Sequence, residues 1–389
     1  MAAGIPSLPP PVFVDDSDGL DPNLVLADMI AEFEAAAERT LQPAQVERLL
    51  INLYAYRESL VRNAIQYAAQ QNLLAFAIFP MIDYLGQLVG VARLTAQSAS
   101  TTLEFTLSGV LTVAITIAQG TLAGTSDGQY SFATTATLVI PAGALSGTVN
   151  ALAVQAGAGA NGYLAGQVNA LLSPSATIAS VGNTTVTAGG SSPETDDHLR
   201  SRIQAAPNQF SVAGPAGAYR FFALGADPSI VDAQVVSPAP GQVNVYILTG
   251  PILVQPQSAP NPAGVAGTPL LENISSVLSA DSVRPLTDTV NVLAVTEVDY
   301  QITATVTLYS DADPGATMTA ANDAAMQYAL ELAAKVQRDI VPSQVIAALS
   351  VAGVYEVALT APAYTQLAAG QWANCTAISL TEAVSGEHS

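Results

Sequence analysis

Between Leu94 and Leu199 the chain carries no lysine and no arginine, and Glu104 and Asp127 are the only acids between Thr95 and Pro193. From residue 99 to 188 Thr, Ala, Val and Gly dominate. Residues of this kind, broken by turn signals, fit pleated strands. Strands are expected at 102–107, 111–117, 130–133, 137–140 and 149–155, with turns at Ser126-Asp127-Gly128 and Pro141-Ala142-Gly143. This stretch therefore reads as a small β-domain set between segments of different texture.

The segment before it is helical. Asp21-Pro22 offers a cap followed by a first-turn proline. Leu26, Ile30, Phe33 and Ala37 then recur at helical spacing, with Glu32, Glu34 and Glu38 off that face. Gln42-Pro43 restarts the pattern, and Val46, Leu50, Leu53, Leu60, Ala64 and Ala68 mark a stripe running towards Pro80. An unbroken helix there is about 36 residues, or roughly 54 Å. Two readings stand: a core helix pair, or a rod-like surface for a partner. Residues 82–93 predict a short helix in which Gly86 permits close packing and Gly90 caps. Ahead of these helices, residues 5–20 read as an extended arm of prolines and aspartates, which either wraps a neighbour or forms a loosely ordered terminus.

After the β-domain, Ser191, Pro193 and Glu194 read as a capping box opening a helix that contains Asp196, Asp197, Arg200 and Arg202. A second helix start follows at 211–219. Residues 230–236 and 242–247 read as a hairpin across Pro240-Gly241. Residues 250–268 form a Pro/Gly-rich linker and 269–280 a short helix. The last part predicts strands at 289–295 and 299–309, helices at 316–338 and 342–349, and strands at 354–359 and near 377–380. Tyr300, Ile302, Ala304, Val306 and Leu308 alternate with polar residues, as in a half-buried strand. One sheet face covered by helices gives an α+β sandwich.

The net charge of −20, with Lys335 the sole lysine, argues against nucleic acid and anionic membrane as partners and favours basic ones. The single cysteine, Cys375, excludes an internal disulfide. No signal peptide is expected from residues 1–11, and the apolar run 73–79 falls short of the roughly 20 residues of a membrane span.

Candidate chemistry is sparse. Glu194, Asp196 and Asp197 could pair for glycoside hydrolysis, but all three fall at one helix start, where capping explains them. His198 reads as a surface helix residue, because the adjacent Asp197 points elsewhere on a helix. Asp288, Asp311 and Asp313 invite a calcium reading; a turn leading into a helix fits better. Gly157–Gly162 is glycine-rich, yet no lysine accompanies it, so a turn rather than a phosphate loop is expected. Cys375 lacks a basic neighbour. No catalytic, cofactor-binding or metal residue is assigned, and no enzyme is expected.

The ordered string of an acidic helix start with Leu199-Arg200 and Arg202-Ile203, then Gly217-Ala218-Tyr219, a strand, Pro240-Gly241 and Val243-Asn244-Val245 resembles the baseplate J-like family of contractile phage tails. Asp83 to Arg93, Gly120-Thr121, 127–132, 140–143, 157–162, Val181-Gly182-Asn183, Gly189-Gly190 and 283–288 extend the resemblance over most of the chain. It implies a structural wedge protein of a virion tail baseplate or tail-like particle, assembled in the host cytoplasm. Implied partners are other copies of itself and other baseplate proteins: hub, sheath initiator, and outer wedge or fibre-linking proteins. It also implies six-fold geometry around the hub and rearrangement on contraction. The fold class is α+β multidomain: an N-terminal helical bundle segment (1–95), an inserted small β-domain (96–190), a central α/β segment (191–285) and a C-terminal α+β sandwich (286–389). A secreted adhesin or surface-layer module is the rival reading, and a carbohydrate-active enzyme the third.

Overall fold

The computed structural model describes residues 9–14, 21–173, 175–210, 214–250, 264–280, 283–285, 287–384 and 387. The fold is α+β and multidomain, and it divides into two compact units: residues 1–93 with 195–206, and residues 94–194 with 207–389.

The first unit begins with helix α1 (Pro22–Ala37), capped by Asp21, whose carboxylate accepts from Asn23 N. It packs beside α2 (Val46–Gln70). α2 is 25 residues, about 37 Å long, rather than the 36 expected. Its C-cap is Gln71, and turns lead on to Pro80. α3 (Met81–Gln87) ends in a Schellman motif: Val91 N donates to Gly86 O at 2.9 Å, Gly90 N to Gln87 O at 3.1 Å, and Gly90 takes φ +72°. A Cβ at Gly86 would lie 2.6 Å from Val91 O, so the close packing expected of this glycine is present. α4 (Asp196–Ala205) returns to this unit and packs on α3, with Ile203 against Gly86 and Leu199 buried.

The capping-box expectation is corrected here. α4 is capped by Thr195, whose Oγ1 accepts from His198 N at 3.3 Å. Ser191 instead pairs as a backbone bridge with Gln97, and the buried Glu194 accepts from Leu94 N at 2.8 Å. Their hydrogen bonds belong to the neck of the β-domain, which left the cap to the next hydroxyl along.

In the second unit the β-domain is a nearly closed barrel of β1 (Ser100–Leu107), β3 (Leu122–Thr125), β4 (Ser131–Thr134), β6 (Ser146–Ala153), β7 (Val168–Leu171) and β8 (Ile178–Asn183), in the order β7-β3-β4-β6-β1-β8. β2 (Ile115–Ile117) and β5 (Leu138–Ile140) pair as a separate ribbon. Leu103, Phe105, Phe132 and Ile140 fill the core. At the seam between β7 and β8, Gly166 N donates to Asn183 O at 2.8 Å and the Asn183 side chain adds further bonds. Asn183 Oδ1 accepts from Val168 N at 2.8 Å, and its Nδ2 donates to Leu164 O and Thr185 O.

The central sheet is β11-β10-β9: β9 (Ile230–Ala239) and β10 (Gln242–Thr249) form the expected hairpin, and β11 (Thr289–Ala294) lies parallel to β10. β11 was expected among the last sandwich's strands; its backbone partner is β10. α5 (Ala216–Leu224) and α6 (Thr268–Leu278) cover this sheet. Residues 251–263 of the expected linker, and 211–213 of the second helix start, lie outside the described residues.

The last sheet is β13-β12-β14, made of β12 (Thr296–Leu308), β13 (Val354–Ala361) and β14 (Gln371–Val384). Tyr300, Ile302, Ala304, Val306 and Leu308 are all buried, as their alternation requires. α7 (Pro314–Ala333), capped by Asp313, and α8 (Pro342–Leu349) pack on it. The two sheets meet at Trp372, the sole tryptophan, which is buried with Leu248, Val295 and Ala333. Beside it Asp232 accepts from Arg220 Nη2 at 2.6 Å and Val336 N at 3.1 Å, with Lys335 Nζ at 4.0 Å.

Candidate interaction surface

A helix that packs within its own chain turns its apolar stripe inward. α2 does the reverse. Val46, Leu49, Leu53, Tyr56, Leu60 and Tyr67 recur at steps of three, four or seven along it, and every one is exposed, from 47% at Leu60 to 68% at Val46. Its buried positions are Ala55, Ser59 and Gln66. The stripe read from the sequence, Val46, Leu50, Leu53, Leu60, Ala64 and Ala68, is exposed as well, and α2 faces its own unit with small and polar residues. Single exposed apolar residues are ordinary; a row along about 32 Å of helix makes α2 the candidate contact surface.

A polar latch fixes the unit that presents this row. Arg93 donates to both carboxylate oxygens of Asp83, at 2.9 and 2.8 Å, and to Asp196 Oδ1 at 2.7 Å. Asp196 Oδ2 accepts from Phe79 N, and the Arg93 guanidinium lies 5.7 Å from the Phe79 ring centroid. Arg200 pairs with Asp197 and donates to Leu74 O and Ala77 O, each at 2.8 Å. Arg202 donates to Ala92 O at 3.1 Å. The hydrogen bonds from Arg93 hold the Asp83 carboxyl below its ordinary range, and the same bonds push the Arg93 guanidinium up. The bidentate pair joins Arg93 to Asp83 of α3, and the single bond to Asp196 ties α4 to it.

The candidate carboxylates thus have separate duties. Glu194 binds Leu94, Asp196 binds Arg93, and Asp197 binds Arg200. His198 is half-buried with its Nε2 inside, a correction to its reading as a surface residue, because α4 docks on the side that carries it. Asp288 accepts from Tyr219 Oη at 2.8 Å, while Asp313 Oδ1 accepts from Ala316 N. Burial of Tyr219, and then the carboxylate of Asp288, push its hydroxyl pKa up. Among the described residues no group of three or more His, Cys, Asp or Glu converges as a metal site. The glycine-rich loop holds a short 3-10 turn at Ala158–Ala160 and packs on Gly190, whose N and O bond Asn161. Cys375 is buried, and burial pushes its thiol pKa up. Among the described residues no helix is long and apolar enough to cross a membrane.

Four domain models of one family match in order: the Baseplate J-like protein N-terminal domain over residues 47–100, the barrel domain over 102–190, the central domain over 211–294 and the C-terminal domain over 300–381. The chain belongs to the baseplate J-like family. It is a structural component of a tail baseplate, in a virion or a tail-like particle. Baseplate protein J of Escherichia phage P2 is 37% identical over 169 residues, which are 43% of this J-like chain and 52% of that protein. The match thus spans about half the length of that relative. A chain in the cryo-EM structure of the anti-feeding prophage (AFP) baseplate, 6-fold symmetrised, aligns with a TM-score of 0.42 at 16% identity, over 91% of this chain and 90% of that one.

Sequence reasoning missed Gln66 and the structural roles of Asn183 and Asp232. Each is a polar residue whose role is set by a backbone group distant in sequence, and no local pattern marks it.

Proposed function

We propose that this chain is a wedge component of a contractile-tail baseplate. It oligomerises around the central hub with six-fold geometry, links hub and sheath-initiation parts to the outer wedge and fibres, and rearranges on contraction. The observation that carries this reading is the exposed apolar row of α2, which a second chain must cover. Residues 1–95 form the inter-subunit bundle, 96–190 a peripheral β-domain, 191–285 the central connection and 286–389 a ring contact. The partners are other copies of this chain and neighbouring baseplate proteins, with no nucleic acid, no membrane insertion, no cofactor and no catalysis.

The test is assembly in the producing cell with Leu53→Asp and Leu60→Asp together. Both positions are exposed, so the fold tolerates the change. The reading expects folded chain and no complete baseplates by electron microscopy. Normal particle yield from the double variant would sink it.

A further inference from the structure

A cleft of about 360 Å³ opens beside the last sheet, between the turn that joins α7 to α8 and the loop that joins β13 to β14. Gln337, Arg338, Asp339 and Gln344 line it from the first side, Gln366 and Leu367 from the second. The two walls are fixed to each other. Ile340 N donates to Thr365 O at 2.9 Å, and Thr365 N to Ile340 O at 3.1 Å. Asp339 Oδ1 accepts from Leu367 N at 2.9 Å, and its Oδ2 from Tyr364 Oη at 3.2 Å. Both oxygens of that carboxylate are engaged within the fold, and its bond to Tyr364 pushes the hydroxyl pKa up.

The groups left over are donors. Gln234 Oε1 accepts from Gly370 N at 2.8 Å, so its Nε2 is the end that meets Gln337 Oε1. That leaves the Gln337 Nε2 group to donate. Arg338 Nη1 donates to Glu331 O at 3.1 Å, which ties the guanidinium back to α7 and leaves its Nε and Nη2 edge open. Among the described residues Arg338 has no acid partner, and the exposed Gln344 and Gln366 amides have no hydrogen-bond partner. Gln337 takes φ +59°, in the left-handed region that side chains rarely adopt, and its N–H is held by Gln371 O at 2.7 Å. Strain of this kind persists where the surroundings over-determine it, and it collects at ligand sites.

We infer that this cleft is a docking site for an extended peptide segment of another protein, which gives one carboxylate to Arg338 and its peptide groups to the Gln337, Gln344 and Gln366 amides. The open edge of a guanidinium matches the two oxygens of a carboxylate. A primary amide gives and accepts as a peptide group does, and this chain already uses one so: Gln66 holds the backbone of Pro11, Phe13 and Val14. The volume lies at the lower end of the range for ligand clefts, about 300–1,000 Å³, and suits a short segment rather than a broad surface. The net charge of −20 repels a polyacid, so a single carboxylate on an otherwise neutral segment is the form that fits. The inference goes beyond the baseplate role and makes no use of the α2 row.

The experiment is a saturation-transfer NMR titration of the full chain with three probes: an acetylated and amidated glutamine-glutamate-glutamine peptide, the same peptide with glutamine at its centre, and sodium acetate. Wild type is expected to bind the glutamate peptide about tenfold more tightly than the all-glutamine one, the size of one charge-assisted hydrogen bond. Arg338→Gln should bind the two peptides equally. Gln344→Ala and Gln366→Ala should each weaken both peptides about threefold and keep the preference. Arg57→Gln, at an exposed arginine on α2, should change nothing. Arg338, Gln344 and Gln366 are exposed, so an unchanged Tm is expected of their variants. Equal binding of the two peptides by wild type, binding of neither, or a preference that survives Arg338→Gln would overturn the inference. So would a loss in Arg57→Gln equal to that in Arg338→Gln, or acetate binding as tightly as the glutamate peptide, since the cleft would then take any carboxylate and read no backbone.

Discussion

Arg93 and Asp196 stand 103 positions apart, with the whole barrel between them in sequence, yet Arg93 Nη2 donates to Asp196 Oδ1 at 2.7 Å. The unit that carries α2 is therefore complete only once the chain has passed through the β-domain and returned. Replacing Arg93 with Ala leaves Asp83 and Asp196 without their guanidinium in a partly buried setting. The expected loss is about 1–3 kcal/mol, confined to this unit. Hydrogen exchange should speed up at 81–93 and 196–205 while the Trp372 region stays protected. Unchanged exchange in α4 would show that the latch holds nothing.

Acid should release the same latch. The Asp83 carboxyl is lowered by Arg93, so the folded unit binds fewer protons than the unfolded one. The stability this contributes is fully present above the unfolded value near about pH 4, and is lost as pH falls through the depressed folded value. Protection of 81–93 should fall as pH drops below about 4 in the wild type, with a shallower fall in Asp83→Asn. Parallel curves for the two proteins would refute the assignment.

The barrel seam depends on Asn183. Asn183→Ala removes an acceptor for Val168 N and donors to Leu164 O and Thr185 O. Unsatisfied buried backbone groups cost about 1–3 kcal/mol. The barrel should exchange faster at β7 and β8, the β1–β6 ladder changing less. Equal rates along both would mean that the seam is closed by packing alone.

Gly214 takes φ +72°, and a Cβ there would lie 2.8 Å from Pro285 Cγ and 2.9 Å from Asp288 Oδ2. Gly214→Ala thus strains the backbone and crowds the carboxylate that holds Tyr219. A loss of about 1–3 kcal/mol is expected by thermal unfolding. A Tm at or above wild type would contradict the geometry.

Periodicity made much of this fold legible. The β12 alternation named its buried face, Pro240-Gly241 placed the β9–β10 hairpin, and Asp21-Pro22 and Pro342 placed helix starts. The strands β3, β7 and β8 escaped, since Ala, Gly and Asn give little strand signal. The cap of α4 was misplaced because pairing with Gln97 occupies Ser191, a partner far away in sequence. The α2 stripe was visible, but periodicity cannot say whether the cover belongs to the same chain. Its inner face carries Ala55, Ser59 and Gln66, and the Gln66 amide serves the backbone at Pro11, Phe13 and Val14, a role that periodicity does not reveal.

The most direct test of the central claim is native mass spectrometry of the full chain co-expressed with its genomic neighbours. The account predicts a discrete complex of fixed stoichiometry that holds two or more copies of this chain and at least one other tail protein, lost on Leu53→Asp. A lone monomer that ignores every neighbour, or a complex indifferent to Leu53→Asp, would contradict it.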